Sequence, residues 1–192
     1  MTETRKPIIL ASQSPRRLEL LRKITSHFKA VPSAVEEILR LELTPEENAL
    51  ALARQKARNV AGKFPGHCVI GADTLVVLDG EIIGKPTDTE NAHRILRRLS
   101  GKEHQVITGV AVVNSGLFEE TVTSKVHIRP LTNEEISRYI ASGEPMDKAG
   151  AYAIQGRGAF MVASFKGSFS NIVGLPLDTV RKLLRQAGCA VD

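Results

Sequence analysis

Residues 68–83 read Cys-Val-Ile-Gly-Ala-Asp-Thr-Leu-Val-Val-Leu-Asp-Gly-Glu-Ile-Ile, and this stretch decides the fold class. Cys68 to Leu78 is an apolar, β-branched run, the pattern of a buried strand. Asp79-Gly80 is a two-residue hairpin signal, because both residues tolerate the positive φ of a tight turn. Glu81-Ile82-Ile83 is then the returning antiparallel strand. Outward from this hairpin the chain changes character. Ile8 to Ala11 reads as a short strand, and Ser14 and Pro15 then supply the N-cap and first position of a helix with Leu18, Leu21 and Ile24 at helical spacing. Thr44-Pro45-Glu46-Glu47 is a capping box opening a helix whose Ala49, Leu52, Ala53, Lys56, Ala57 and Val60 share a face.

The second half continues the alternation. Thr87-x-x-Glu90 predicts the cap of a helix that carries Ala92, Ile95, Leu96 and Leu99 and stops at Gly101. Strands are expected at Gln105 to Val113 and about Glu119 to Ile128, joined through Asn114-Ser115-Gly116. Thr132-x-x-Glu135 starts a helix ending near Gly143. Phe160 to Phe165 and Phe169 to Val173 read as a hairpin around Lys166-Gly167, and Pro176 and Leu177 open a last helix to Gly188. Hairpins mixed with strand–helix units imply an α/β (α+β) fold with a mixed β-sheet and flanking helices.

The chain of 192 residues fits one domain or a compact pair of lobes at roughly 150 residues per domain. No repeat, low-complexity stretch or linker divides it, so residues 1–192 are expected to be one continuous folding unit. With 42% hydrophobic and 24% charged residues it is neither fibrous nor disordered in composition. The formal charge of +5 suits an anionic ligand but is spread along the chain, so nucleic-acid binding is permitted and not demanded. Met1 to Pro7 leads into only four apolar residues before Ser12. That is too short for a signal peptide or a membrane span, and a cytoplasmic protein is expected. Cys68 and Cys189 lie far apart and outside any Cys-x-x-Cys spacing, so two buried, reduced thiols are expected.

Four stretches carry chemistry. In Ala11-Ser12-Gln13-Ser14-Pro15-Arg16-Arg17, two arginines fall in the first turn of a helix whose N-terminus already bears about half a positive charge. A bound anion reverses that penalty and meets backbone N–H groups, serine hydroxyls and guanidiniums together. The alternative is a pair of solvated arginines neutralised by Glu19 or Glu36. Asp73 stands in apolar sequence, where a carboxylate is costly to bury unless a cation or several donors meet it. It is a candidate magnesium ligand or general base with Thr74 beside it, or else a structural aspartate bonded to nearby backbone. Lys85, in Gly84-Lys85-Pro86, is a candidate for the same anion.

Glu36-Glu37 with Arg54 and Lys56 form the third group, either a cation-holding acidic pair or an exposed one. The fourth is Asp147 to Gly158, a glycine-rich, amide-bearing loop in which Gln155 can read a base edge through its paired donor and acceptor, unless the loop is simply surface. Absences narrow the class. There is no G-x-x-x-x-G-K-[ST], no G-x-G-x-x-G after a strand, no H-E-x-x-H and no G-x-S-x-G. His27, His67, His93, His104 and His127 have no metal-ligand spacing. Trp is absent and aromatics are 4%, poor material for stacking single-stranded bases.

Taken in order and spacing, Leu10-Ala-Ser-Gln-Ser-Pro-Arg-Arg17, Gly71-Ala-Asp-Thr74, Gly84-Lys-Pro86, the Asp147-to-Gly156 loop and Gly174-Leu-Pro176 resemble the motifs of the Maf proteins. These are nucleoside triphosphate pyrophosphatases related in fold to the inosine triphosphatases. The resemblance covers nearly the whole chain. It implies two lobes around a cleft, hydrolysis of a nucleoside triphosphate between its α and β phosphates, a divalent cation (Mg or Mn) and a homodimer.

By that likeness Asp73 matches the proton acceptor. Ser12, Arg17, Lys56 and Lys85 match phosphate-binding positions, with Lys85 counted among the catalytic residues. Glu37 matches an acidic residue that helps hold metal or water, so Asp73 and Glu37 are the implied metal ligands. Arg16, Thr74 and Gln155 fall where the family sets base preference. Glutamine in Tyr-x-Ile-Gln-Gly is similar to the branch acting on dTTP and UTP; activity on a modified pyrimidine nucleotide such as pseudouridine triphosphate is a further alternative. Glu36 departs from the aspartate that often precedes the glutamate, which leaves the division of labour between Glu36 and Glu37 open. The family's link with arrest of cell division also implies an alternative, a nucleotide- or nucleic-acid-binding regulator without turnover.

Overall fold

The computed structural model describes residues 6–189, so the start of the chain, where the absence of a leader is expected, lies largely outside the described residues. Seven strands form one mixed sheet: β1 (Ile8–Leu10), β2 (Phe28–Ala30), β3 (Cys68–Leu78), β4 (Glu81–Ile83), β5 (Glu103–Val113), β6 (Leu117–Ile128) and β7 (Val162–Lys166). The order is β2-β1-β3-β5-β6-β7, with β4 paired to β3. β1 runs parallel to β2 and β3, whereas β3–β4 and β6–β7 are antiparallel. The helices are α1 (Pro15–Arg22), α2 (Pro45–Ala61), α3 (Thr89–Leu99), α4 (Asn133–Ala141), α5 (Phe169–Val173) and α6 (Leu177–Gln186). The mixed α/β architecture expected from the sequence is the one observed.

The chain divides into two compact units. Among the described residues, one comprises residues 6–73, 108–122 and 174–189, and the other residues 74–107 and 123–173. In the first, α2 is built as its sequence dictates. Thr44 and Glu47 form the reciprocal capping box, Pro45 opens the helix, and Ala49, Leu52, Ala53, Lys56, Ala57 and Val60 are all buried. The helix approaches the sheet closely because two strand positions have no side chain. A Cβ on Gly71 of β3 would lie 2.2 Å from the Ala53 carbonyl oxygen, and one on Gly109 of β5 would lie 2.4 Å from that of Ala49. In the second unit, α3 and α4 pack Ala92, Ile95, Leu96, Leu99, Ile136 and Tyr139 into a core with Val76, Leu78, Val106 and Val126.

Four local expectations are corrected. The helix at residue 89 is capped by Asp88, which accepts from the Asn91 N–H at 2.7 Å, and not by Thr87. Residues 160–173 are not a hairpin: a 3-10 helix (Gly156–Met161) leads into β7, and Phe169–Val173 is helical. The Ser168 hydroxyl accepts from the Asn171 N–H at 3.2 Å, a helix-start contact that overrides the β-branched composition. β2 was not anticipated, being short and largely exposed. Finally, Cys68 and Cys189 are not reduced thiols but form a disulfide, because the start of β3 and the turn after α6 meet in the first unit across 121 residues of sequence.

Candidate active site

Asp73 lies on β3, two residues beyond Gly71 and therefore on the same face of the strand, the face that α2 covers. The glycine admits the helix, and the helix brings Lys56 to the aspartate. Lys56 Nζ lies 2.6 Å from Asp73 Oδ1 and 2.5 Å from Glu37 Oε1. Lys56 and Asp73 are each 6% exposed. Burial pushes the Asp73 carboxyl above the ordinary carboxylate range, opposed by Lys56 and Arg17. Removing one partner of such a buried pair leaves the other uncompensated, at a cost of about 3–5 kcal/mol.

Arg17 joins the same field. It sits in the first turn of α1, and its Nε donates to the Gly174 carbonyl at 2.8 Å. Burial lowers the Arg17 pKa, while the charges of Asp73 and Glu37 raise it. The reading of Arg17 as a solvated side chain neutralised by Glu19 or Glu36 is thus replaced by an anchored guanidinium whose charge acts on Asp73 and Glu37. Ser12 is buried, and its hydroxyl accepts from the Ser14 N–H at 3.1 Å, shaping the turn before α1. Ser14 itself makes no side-chain cap. Arg16 is half-buried in the same turn.

The acidic pair divides plainly. Both glutamates are exposed, Glu37 with 51% of its side chain accessible, but only Glu37 meets Lys56. Arg54 belongs elsewhere: its Nε donates to Glu119 at 2.8 Å. The long connection between β2 and α2 that carries Glu37 is held by two asparagines of α2 that sequence reasoning missed. Asn59 Oδ1 accepts from the Ala34 N–H at 3.1 Å. Asn48, 2% exposed, accepts from the Arg40 N–H at 2.8 Å and donates to the carbonyls of Arg40, Leu43 and Thr44. The available signal was a polar residue next to the alanine face of an amphipathic helix, where a buried amide must find partners.

The remaining candidates lie in the second unit. Thr74 is half-buried on β3 and Lys85 is exposed between β4 and α3. The Gly84 carbonyl accepts from the Gly150 N–H at 3.1 Å, so the Gly84-Lys85-Pro86 segment and the glycine-rich loop are joined. That loop is no loose surface stretch. Gly150, Ala151, Tyr152 and Ala153 are buried, and the Glu144 carboxylate accepts from the N–H groups of Arg157 and Gly158 at 3.1 and 2.9 Å. Gln155 is half-buried at the entry to the following 3-10 helix, with no side-chain cap bond there.

A family model described as Maf-like protein matches residues 7–187. The chain belongs to the Maf family. Three Maf relatives carry the name dTTP/UTP pyrophosphatase. That of Geotalea uraniireducens (strain Rf4) is 49% identical over 191 residues, 98% of each chain. That of Symbiobacterium thermophilum is 50% identical over 186 residues, 94% of each chain. That of Bacillus velezensis is 48% identical over 182 residues, 94% of this chain and 96% of the relative. Among solved structures, a dITP/XTP pyrophosphatase from Mycobacterium abscessus aligns at 21% identity over 63% of this chain and 72% of that one with a TM-score of 0.40, too loose to bear on the fold.

For a Maf protein, the donor set matters as much as the motifs. Among the described residues no group of three or more His, Cys, Asp or Glu side chains gathers in metal-holding geometry. Asp73 and Glu37 do converge on one cation, the Lys56 ammonium. Two hard carboxylates match the protein's share of a magnesium site in phosphate-processing enzymes, where one or two carboxylates act together with the substrate.

Proposed function

We propose that this Maf protein hydrolyses dTTP and UTP at the α–β phosphoanhydride, releasing the nucleoside monophosphate and pyrophosphate. The observation that carries this reading is 49% identity, over 98% of each chain, to a relative named dTTP/UTP pyrophosphatase. Within the first unit, the contact of Lys56 with Asp73 and Glu37 and the charge of Arg17 on Asp73 support this reading. Cleaving a phosphoanhydride requires positive charge against phosphate oxygens and a positioned water. Arg17, Lys56 and Lys85 supply the charge, with Ser12 and Arg16 at the same helix start. Asp73, its carboxyl raised in pKa by burial, takes the proton from the attacking water, and Glu37 orients that water. Thr74 and Gln155 contact the pyrimidine, the glutamine amide offering a donor and an acceptor to one base edge.

Asp73 and Glu37 are also the residues that would hold a magnesium or manganese ion. When bound, that ion supplies charge neutralisation along the polyphosphate and lowers the pKa of bound water. The same reading includes activity on modified pyrimidine nucleotides, work in the cytoplasm and a homodimer. Among the described residues no helix is long and apolar enough to cross a membrane.

The test is a panel of canonical and modified triphosphates with product analysis, run with and without EDTA. Pyrophosphate and monophosphate from dTTP and UTP, lost on chelation, are the expected outcome. Affinity for nucleotide with no product would replace this reading with that of a regulator that binds without turnover.

A further inference from the structure

We propose that in the substrate-free protein Lys56 stands in for the divalent cation, so that metal loads together with the nucleotide and not before it. This rests on the reading of Asp73 and Glu37 as the metal-holding carboxylates. The ammonium contacts both of them, at 2.6 and 2.5 Å; Lys56 is 6% exposed, as is Asp73, whereas the Glu37 side chain is 51% exposed. An ammonium and a divalent cation compete for the same two carboxylates, of which Lys56 meets Asp73 Oδ1 and Glu37 Oε1. Magnesium must approach an oxygen to about 2.0–2.1 Å, and at low dielectric it repels a second cation already seated there.

Free metal offers the displaced ammonium no new anion, so Lys56 would be left buried and unpaired, the arrangement proteins avoid most strongly. The charge of Arg17, which acts on Asp73 as well, adds to the repulsion. A metal–triphosphate complex removes both objections. It brings phosphate oxygens to which Lys56 can transfer with its charge-assisted hydrogen bonds intact. Lys56 is therefore placed to exchange carboxylate for phosphate. The fold holds it in that position, because Ala53 and Ala57, either side of it on α2, close on Gly71.

The experiment titrates Mn²⁺ alone into nucleotide-free protein, followed by electron paramagnetic resonance of the free ion, for wild type, Lys56→Met and Lys56→Arg. Removing the ammonium should raise Mn²⁺ affinity by ~10-fold or more, whereas the arginine variant should stay with wild type. Equal or weaker binding by a folded Lys56→Met overturns the proposal. Should that variant not fold, side-chain proton–nitrogen NMR of the Lys56 ammonium in wild type decides. It should be unmoved by Mg²⁺ alone and shift when Mg²⁺ is added with a non-hydrolysable α,β-methylene analogue of dTTP. A shift with Mg²⁺ alone overturns it. Neither readout uses turnover, so loss of dTTP hydrolysis would count against the proposed function and leave these measurements to judge Lys56.

Discussion

Arg17 Nε donates a 2.8 Å hydrogen bond to the carbonyl of Gly174, a residue 157 positions away in sequence. Gly174 has φ 121°, a backbone conformation that a side chain disfavours, and that conformation presents its carbonyl to the guanidinium. Two motifs that are remote in the chain, the first arginine-bearing turn and Gly174-Leu-Pro176, thereby meet in one contact.

Gly174→Ala should cost about 1–3 kcal/mol of stability from backbone strain. Arg17→Lys keeps the charge and loses the Nε donor, so it should lower kcat/KM for dTTP by roughly tenfold with little change in melting temperature. Steady-state kinetics beside thermal denaturation separates the two effects. An Arg17→Lys enzyme with wild-type kinetics would show that the Gly174 contact does not orient the guanidinium for catalysis.

The Cys68–Cys189 disulfide closes a loop across 121 residues. On the chain-entropy model a closure of this length stabilises by about 4–5 kcal/mol. Denaturation with and without a dithiol reductant should show a correspondingly lower urea midpoint for the reduced protein, and Cys68→Ser with Cys189→Ser should match the reduced form. An unchanged midpoint would mean that the bridge adds nothing to stability.

His104 gives the pH dependence. It is 2% exposed, its Nε2 lies 2.7 Å from the Tyr152 hydroxyl, and burial lowers its pKa from 6.5 to about 4. The folded protein keeps this imidazole neutral while the unfolded chain takes up a proton, so its contribution is present above pH 6.5 and is lost as pH falls through about 4. At 1.36 kcal/mol per pH unit the loss amounts to about 3 kcal/mol. Urea midpoints of wild type should fall across that window, and the fall should be much smaller in His104→Gln. Parallel curves for the two proteins would contradict the assignment.

Much of this architecture was legible because local signals and tertiary demands coincide. The capping boxes at Thr44 and Thr132, the Asp79-Gly80 turn and the alanine face of α2 all form as their residues dictate. Asp73 could be singled out because a carboxylate in a buried strand requires a partner, and Lys56 faces it from α2. What could not be read depends on distance in sequence. Nothing near Cys68 announces Cys189, and nothing near Arg17 announces the Gly174 carbonyl. Phe169–Val173 misled for the opposite reason, since its strand-like composition yields to a local hydroxyl–backbone contact from Ser168. Asn48 was passed over because its work, holding the connection that bears Glu37, appears only once the chain has folded back on α2.

In the proposed reaction the buried Asp73 carboxylate drives hydrolysis at the α–β bond. The most direct test is quantified release of pyrophosphate and dTMP from dTTP by wild type and by Asp73→Asn, each checked by urea denaturation to be folded. Wild type should release the two products in equal amounts, and Asp73→Asn should turn over ~10²–10⁴-fold more slowly. Near-normal turnover by folded Asp73→Asn would contradict the role of Asp73, and release of orthophosphate and dTDP by wild type would contradict cleavage at the α–β bond.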